Sequence, residues 1–320
     1  MKSNHLKFIV SIVLFLFVGF VFSQEKRGNL SNIVQLTNDS ESYENPQWSP
    51  DGSKVAFTFE GHRGLMVMNP DGSGRQTLSL ADGVGYAYMW SHTNEDILMR
   101  DARWDSKGRN HALWSVNLSG KLNRESQDAP YMQPAAWVYG RDGHVRVQSV
   151  DAVLMDAPSR PMRVQAESAR FAALQAKPNF NKSFFVDDTN FYIVDEQGNK
   201  KVLSDADTFC PVFSPDGSKI AFNHRDDVCV MNLDGSGKVV LDTGFFPSWV
   251  NNSQLVYEKT TDDGHSYLSG ELHLININGS GRKQLTNGNG IYRMPVSSPD
   301  GNQIVYVEYN SGQLFRADLQ

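Results

Sequence analysis

Cysteine is nearly absent, with 2 residues in a chain of 320. That excludes a disulfide-stapled scaffold, and no C-x-x-C pair stands as a redox or zinc motif. Basic residues are outnumbered, 30 Lys+Arg against 36 Asp+Glu for a net charge of −6. A general nucleic-acid binder needs a basic footprint, so that class is excluded. No G-x-S-x-G elbow, Walker loop or H-E-x-x-H pair occurs, which removes the motif-borne hydrolases, nucleotidases and metalloproteases. Long apolar runs are missing too. The one notable run, Phe8–Phe22, is 15 residues long and broken by Ser11 and Gly19, short of the roughly 20 that a spanning helix needs.

That run follows Lys2 and Lys7 and leads into Val21-Phe22-Ser23. A basic start, a short apolar core and small residues at its end read as a secretory signal over residues 1–23. Export to the periplasm or beyond is therefore expected, with no membrane span in the mature form. The leader holds two of the basic residues and none of the acidic ones, so the mature net charge is −8.

What is present in abundance is repetition. Pro46-Gln-Trp-Ser-Pro-Asp-Gly-Ser-Lys-Val-Ala-Phe57, Pro211-Val-Phe-Ser-Pro-Asp-Gly-Ser-Lys-Ile-Ala-Phe222 and Pro295-Val-Ser-Ser-Pro-Asp-Gly-Asn-Gln-Ile-Val-Tyr306 are near copies. Each reads as a strand, a tight Pro-Asp-Gly reversal and a second strand of alternating polarity. A second hairpin follows each, as in Val67-Met-Asn-Pro-Asp-Gly-Ser-Gly-Arg75 and Val230-Met-Asn-Leu-Asp-Gly-Ser-Gly-Lys238. Four strands and two turns make one propeller blade.

First strands anchored at Trp48, Trp90, Trp137, Phe213, Trp249 and Ser297 are spaced by 42, 47, 76, 36 and 48 residues. Splitting the 76 into two of 38 adds a degenerate blade around Phe171–Ser204. The expected fold is therefore an all-β, seven-bladed propeller, with six blades as the runner-up. A linker over residues 24–32 leads into a single domain over 33–320. Ile33-Val-Gln-Leu-Thr37 reads as a stray fourth strand that pairs with the last unit and closes the ring. On this frame Cys210 and Cys229 sit on the first and third strands of one blade, about 9–10 Å apart, beyond disulfide reach.

These repeats resemble the TolB-like, WD40-like family, whose pattern is P-x-W-S-P-D-G-x-x-I-A-F. The match is strong over four blades and faint over the others. The resemblance implies a propeller. It does not bring TolB's α/β domain, since about ten residues separate Ser23 from Ile33, nor a peptidase domain after Gln320.

The Pro-Asp-Gly and Asp-Gly-Ser-Gly turns all fall on one rim and read as structural, without the acidic spacing of a calcium loop. The opposite rim is richer. It receives His62, His111, His224 and His265, with Arg63, Arg103, Trp104, Arg109, Arg225 and Arg293, and the tyrosines Tyr86 and Tyr88. The 12-residue loop Arg100–His111 is its most distinctive part, because long loops on rigid scaffolds carry function. Carboxylates Glu60, Asp101, Asp105 and Asp226 lie nearby, and nothing in their spacing selects a glycosidase pair.

Arg neutralises carboxylate or sulfate, Trp and Tyr stack on sugar faces, and His with Tyr moves protons near neutral pH. Together they suit β-elimination on a uronic acid, with a charge that stabilises the enolate, a base and an acid. Blade number, export and rim composition are similar to those of the carbohydrate-active propellers: oligogalacturonate lyases, ulvan lyases and ulvan-oligosaccharide dehydratase. The resemblance implies an exported lyase or dehydratase acting on an anionic oligosaccharide to leave a C4=C5 double bond. The four histidines stand as base candidates or as ligands of a divalent metal, Tyr86 and Tyr88 as acids, and the six Arg and Trp residues as substrate contacts. The alternative is a non-catalytic propeller that binds a protein or glycan on the same rim.

Overall fold

The computed structural model describes residues 30–106, 108–140, 144–156, 160–161, 181–186, 190–205 and 207–320. The leader lies outside them. Among the described residues there are strands and turns and no helix, and none is long and apolar enough to cross a membrane as a helix.

The near-copy repeats build what their pattern dictates. The first sheet is β2 (Tyr43–Trp48), β3 (Val55–Phe59), β4 (Arg63–Met68) and β5 (Gln76–Ser79), after β1 (Leu30–Gln35). The second is β6 (Met89–Trp90), β7 (Asp96–Arg100), β10 (Leu113–Asn117) and β11 (Leu122–Arg124), with a separate hairpin, β8 (Arg103–Asp105) and β9 (Gly108–Asn110), inserted between β7 and β10. Next come β12 (Ala136–Tyr139), β13 (His144–Gln148) and β14 (Arg160–Pro161), then β15 (Lys182–Val186), β16 (Asn190–Asp195) and β17 (Lys200–Asp205). Two complete sheets follow: β18 (Thr208–Phe213), β19 (Lys219–His224), β20 (Asp227–Asn232) and β21 (Val239–Thr243); then β22 (Phe245–Asn251), β23 (Gln254–Asp262), β24 (Tyr267–Asn276) and β25 (Lys283–Gln284). The last blade is β26 (Tyr292–Ser297), β27 (Gln303–Glu308) and β28 (Gln313–Leu319), with β1 as its fourth strand.

Five sheets are thus complete four-stranded blades, and two have three strands. The blade count of the ring is six, while β12–β14 and β15–β17 remain two separate three-stranded sheets. The expectation of seven is corrected to its runner-up. The seventh unit rested on halving the interval from Trp137 to Phe213, and among the described residues neither half builds four strands; β14 is only two residues long.

The N-terminal strand closes the ring as its sequence suggests. Leu30 pairs with Leu319 and Gln35 with Phe315, antiparallel. The strand begins at Leu30, inside the stretch expected to be linker. Cys210 on β18 and Cys229 on β20 are not disulfide-bonded.

The Pro-Asp-Gly turns are held by their own side chains. Asp51 Oδ1 accepts from Ser49 Oγ at 2.7 Å and from the Ser53 amide at 3.0 Å, and Asp216 and Asp300 repeat the arrangement. Carboxylates engaged this way turn inward on the loop, which accounts for the repetition of the motif. The core lies between blades rather than within one. Trp48, Phe57 and Met66 of the first blade pack with Val305 and Leu314 of the last. Trp48 Nε1 donates to the Val296 carbonyl at 3.1 Å, and Trp249 Nε1 to Val212 at 3.1 Å. In these two blades the repeated tryptophan therefore staples the blade to the one before it.

Candidate functional site

The inner strands share a departure from regular β structure. Asn45, Cys210, Phe246 and Met294 each stand at φ near +50° immediately before a proline, and each coincides with a register shift. Ala87 adopts the same φ of 54° without a following proline. A non-glycine residue in the left-handed region costs about 1–2 kcal/mol. Its recurrence in four sheets, and at Ala87 just before β6, marks a built feature, a bulge that turns one residue out of the first strand of those four blades.

Around the first two bulges several of the candidate residues come together. His62 sits at φ +59° in the β3–β4 turn. Its backbone amide donates to Glu44 Oε1 at 2.7 Å and its Nδ1 lies 2.8 Å from the same oxygen. The hydrogen bond to that carboxylate raises the imidazole above its usual pKa. Tyr86 lies against it, ring centroids 5.6 Å apart. The approach depends on Gly85, where a Cβ would come within 2.7 Å of Thr58 and 2.9 Å of the His62 Cα.

The residue at the centre of this group is Arg100, which composition alone did not single out. Its guanidinium stacks over the Tyr86 ring at 4.5 Å from the centroid. It donates to the Met132 carbonyl, and its Nε is buried without a hydrogen-bond partner. Among the described residues it has no ion pair. Burial lowers its pKa, and the nearby charge of Arg109 adds to the effect. Its field in turn opposes protonation of His62 and His111. The signal available in the sequence was the position itself: the residue after the hydrophobic centre of β7 is Thr58, Asn223 or Glu258 in sister blades.

Asn223 and Glu258 show what that position does. Asn223 Oδ1 accepts from the Phe246 amide at 3.0 Å, and Glu258 Oε2 from the Met294 amide at 2.6 Å, each capping the bulge of the next blade. Glu258 is fully buried, and burial raises its pKa. Arg293 pairs with it at 3.2 Å and stacks over Tyr267 at 3.8 Å. Arg293 is thus neutralised within the fold, where Arg100 is not. The Asn45 amide approaches Met294 Sδ at 3.5 Å, which links the two groups along the mouth.

The other candidates disperse. Tyr88 is buried, its hydroxyl donates to the Asn45 carbonyl at 2.6 Å, and burial drives its pKa well up; it is no proton donor to a ligand. His111 is buried with Nδ1 2.8 Å from the Asp101 carbonyl, and burial lowers its pKa. His224 Nε2 lies 3.1 Å from Asp205, and His265 stands exposed in the β23–β24 turn. Among the described residues no three His, Cys, Asp or Glu side chains gather to hold a metal. The rim histidines therefore do not form the metal site considered for them. Arg63 and Arg225, expected as substrate contacts, form exposed ion pairs with Glu41 at 3.5 Å and Asp207 at 3.0 Å.

No family model matches the chain, and no curated protein matches it by sequence. Solved structures do. The TolB of Acinetobacter baumannii superposes with a TM-score of 0.52 at 18% identity, covering 82% of this chain; the chain spans 58% of that protein's length. A β-propeller domain from Myceliophteria thermophila gives 0.57 at 11% identity, covering 92% of this chain and 100% of that one. In fold the chain is a β-propeller of the TolB and WD40 kind. An oligogalacturonate lyase in complex with manganese overlaps at a TM-score of 0.45 and 14% identity, covering 89% of this chain and 79% of that one, too low to carry an argument about this propeller's chemistry.

Proposed function

We propose that this TolB-like propeller is an exported protein that takes an acidic oligosaccharide at the mouth between its first two blades and acts on it by β-elimination. One observation carries the reading. Arg100 is a partly buried guanidinium with no acidic partner among the described residues, stacked on an exposed tyrosine and next to a histidine held by a carboxylate. A buried cation without a counter-charge is costly, and a ligand carboxylate removes that cost.

The parts suit elimination on a uronic acid. Arg100 pairs with the sugar carboxylate and stabilises the charge that spreads into it when the neighbouring C–H proton leaves. His62, oriented through Nδ1 by Glu44, takes that proton on Nε2 in its neutral form. Tyr86 protonates the departing oxygen as the C–O bond breaks and the C4=C5 double bond forms. A glycosidic oxygen as leaving group makes the enzyme a lyase, and a terminal hydroxyl makes it a dehydratase.

A second reading has its own support. His111, His224 and Tyr88 are engaged elsewhere and His265 stands exposed in a turn, so the same mouth serves equally as a non-catalytic site for an acidic glycan or protein. Incubation of the mature protein with a panel of uronic-acid oligosaccharides separates the two. New ultraviolet absorbance from an unsaturated uronate supports elimination, and loss of one water from the product mass identifies a dehydratase. Binding without any new absorbance rejects catalysis and leaves the second reading.

A further inference from the structure

The hairpin β8–β9 belongs to no blade, and it is braced like a functional arm. At its root Arg103 Nε pairs with Asp101 at 2.8 Å, and its terminal nitrogen pairs with Asp128. Asp101 is buried and also accepts from the Ala112 amide at 2.7 Å and Trp114 Nε1 at 2.9 Å. His111 and Ala129 exchange both backbone hydrogen bonds, at 2.8 and 3.0 Å. Asn110 Nδ2 ties the two strands together through Asp105 at 2.8 Å.

This anchored arm holds out an indole. Trp104 is 76% exposed, more than any other large apolar side chain among the described residues. It stands directly opposite Arg109 across the hairpin, and opposed residues of an antiparallel pair share one face. The hairpin leaves the sheet three residues after Arg100, the last residue of β7, and Arg109 is near enough to Arg100 and His111 for its charge to act on both. Arg109 has no ion pair among the described residues. A rigid strand pair that exposes Trp beside an uncompensated Arg, next to a second uncompensated Arg, is arranged for an extended anion with flat apolar faces.

We infer that the β8–β9 hairpin is a second sugar subsite. Trp104 stacks on the face of a sugar ring adjacent to the one held at Arg100, and Arg109 pairs with the carboxylate or sulfate of that second residue. The inference rests on the acidic-glycan reading above and adds to it that the ligand is an oligosaccharide with anionic groups on at least two successive residues. A single uronic acid fills only half the site.

The test is calorimetric titration of the mature protein with a uronic-acid monosaccharide, the matching di- and tetrasaccharides, and a neutral tetrasaccharide. The wild type is expected to gain about tenfold in affinity or more from mono- to disaccharide, the scale of one charge-assisted contact. The neutral chain is expected to gain much less. W104A and R109Q are each expected to remove most of that gain, and W104F to keep part of it; all three should unfold at the wild-type temperature. Equal affinity of the wild type for both lengths overturns the second subsite alone, as does a gain left intact in both W104A and R109Q. Absence of binding to any uronate overturns the reading on which it rests.

Discussion

Arg100 and Arg293 place the same group on neighbouring stretches of one rim and give it opposite fates. Arg293 meets a fully buried carboxylate in Glu258, whereas Arg100 meets a tyrosine ring and a carbonyl oxygen. Arg100→Met keeps the packing stem and removes the charge. An acidic ligand should then bind about 10–100-fold more weakly, from roughly 1.5–3 kcal/mol for a charge-assisted hydrogen bond, while the thermal midpoint stays level or rises because an unpaired buried charge is gone. A lowered midpoint with affinity intact would assign Arg100 to the fold instead. His62 offers a pH test at the same scale. The hydrogen bond to Glu44 raises its pKa, so its stabilising contribution is full below the unfolded histidine value of about 6.5 and is lost as pH rises through the higher folded value. Any step that needs neutral His62 as a base runs in the opposite sense and speeds up through that range. Glu44→Gln should bring the His62 titration down, read by NMR of the ring protons. A wild-type midpoint below 6.5 would contradict the Glu44 assignment.

At the level of the element, the bulged inner strand decides which side chains reach the mouth. Proline after Asn45, Cys210, Phe246 and Met294 was visible in the repeat, but proline alone signals only an extended preceding residue. The positive φ arises from tertiary demand: the amides of Phe246 and Met294 are met by Asn223 and Glu258 of the blade before. That is why the hairpins and their order were legible from Ser-Pro-Asp-Gly while the capping residues were not. It is also why counting histidines by rim overstated the site. Residues placed on one rim by loop position can be buried against their own blade, as His111 is, or tied to a neighbouring loop, as His224 is to Asp205. Ala87 isolates the backbone cost of the bulge, since it is exposed and holds φ at 54° with no cap to lose. Ala87→Gly should therefore be neutral or stabilise by up to about 1 kcal/mol, and Ala87→Val should destabilise by at least that much. Urea unfolding midpoints measure both. Ala87→Gly costing more than Ala87→Val would mean that the bulge carries no strain.

For the whole molecule, closure is a matter of one short strand. β1 covers the outer edge of β28, so the last blade is built from both ends of the chain. Without it β28 would present an open row of backbone groups, the kind of edge that aggregates. This feature was readable in the sequence because Ile33–Thr37 repeats a fourth strand where no blade precedes it, though the strand starts three residues sooner than that pattern shows. The partial sheets between β12 and β17 were less readable, since their strands lack the Ser-Pro-Asp-Gly turn that marks three of the complete blades. Closure has a direct consequence for connectivity. Leu319 lies opposite Leu30 in the antiparallel pair, so the end of β28 is beside the start of β1. A permuted chain that begins at residue 36 and carries residues 30–35 after Gln320 through a short Asn-Gly-type turn should fold with an unfolding midpoint close to the original, because it keeps every pairing and converts a long-range contact into a hairpin. Deleting residues 30–35 outright should lower the midpoint and the soluble yield together. If the deletion instead matches the full chain in both measurements, β1 does not close the ring.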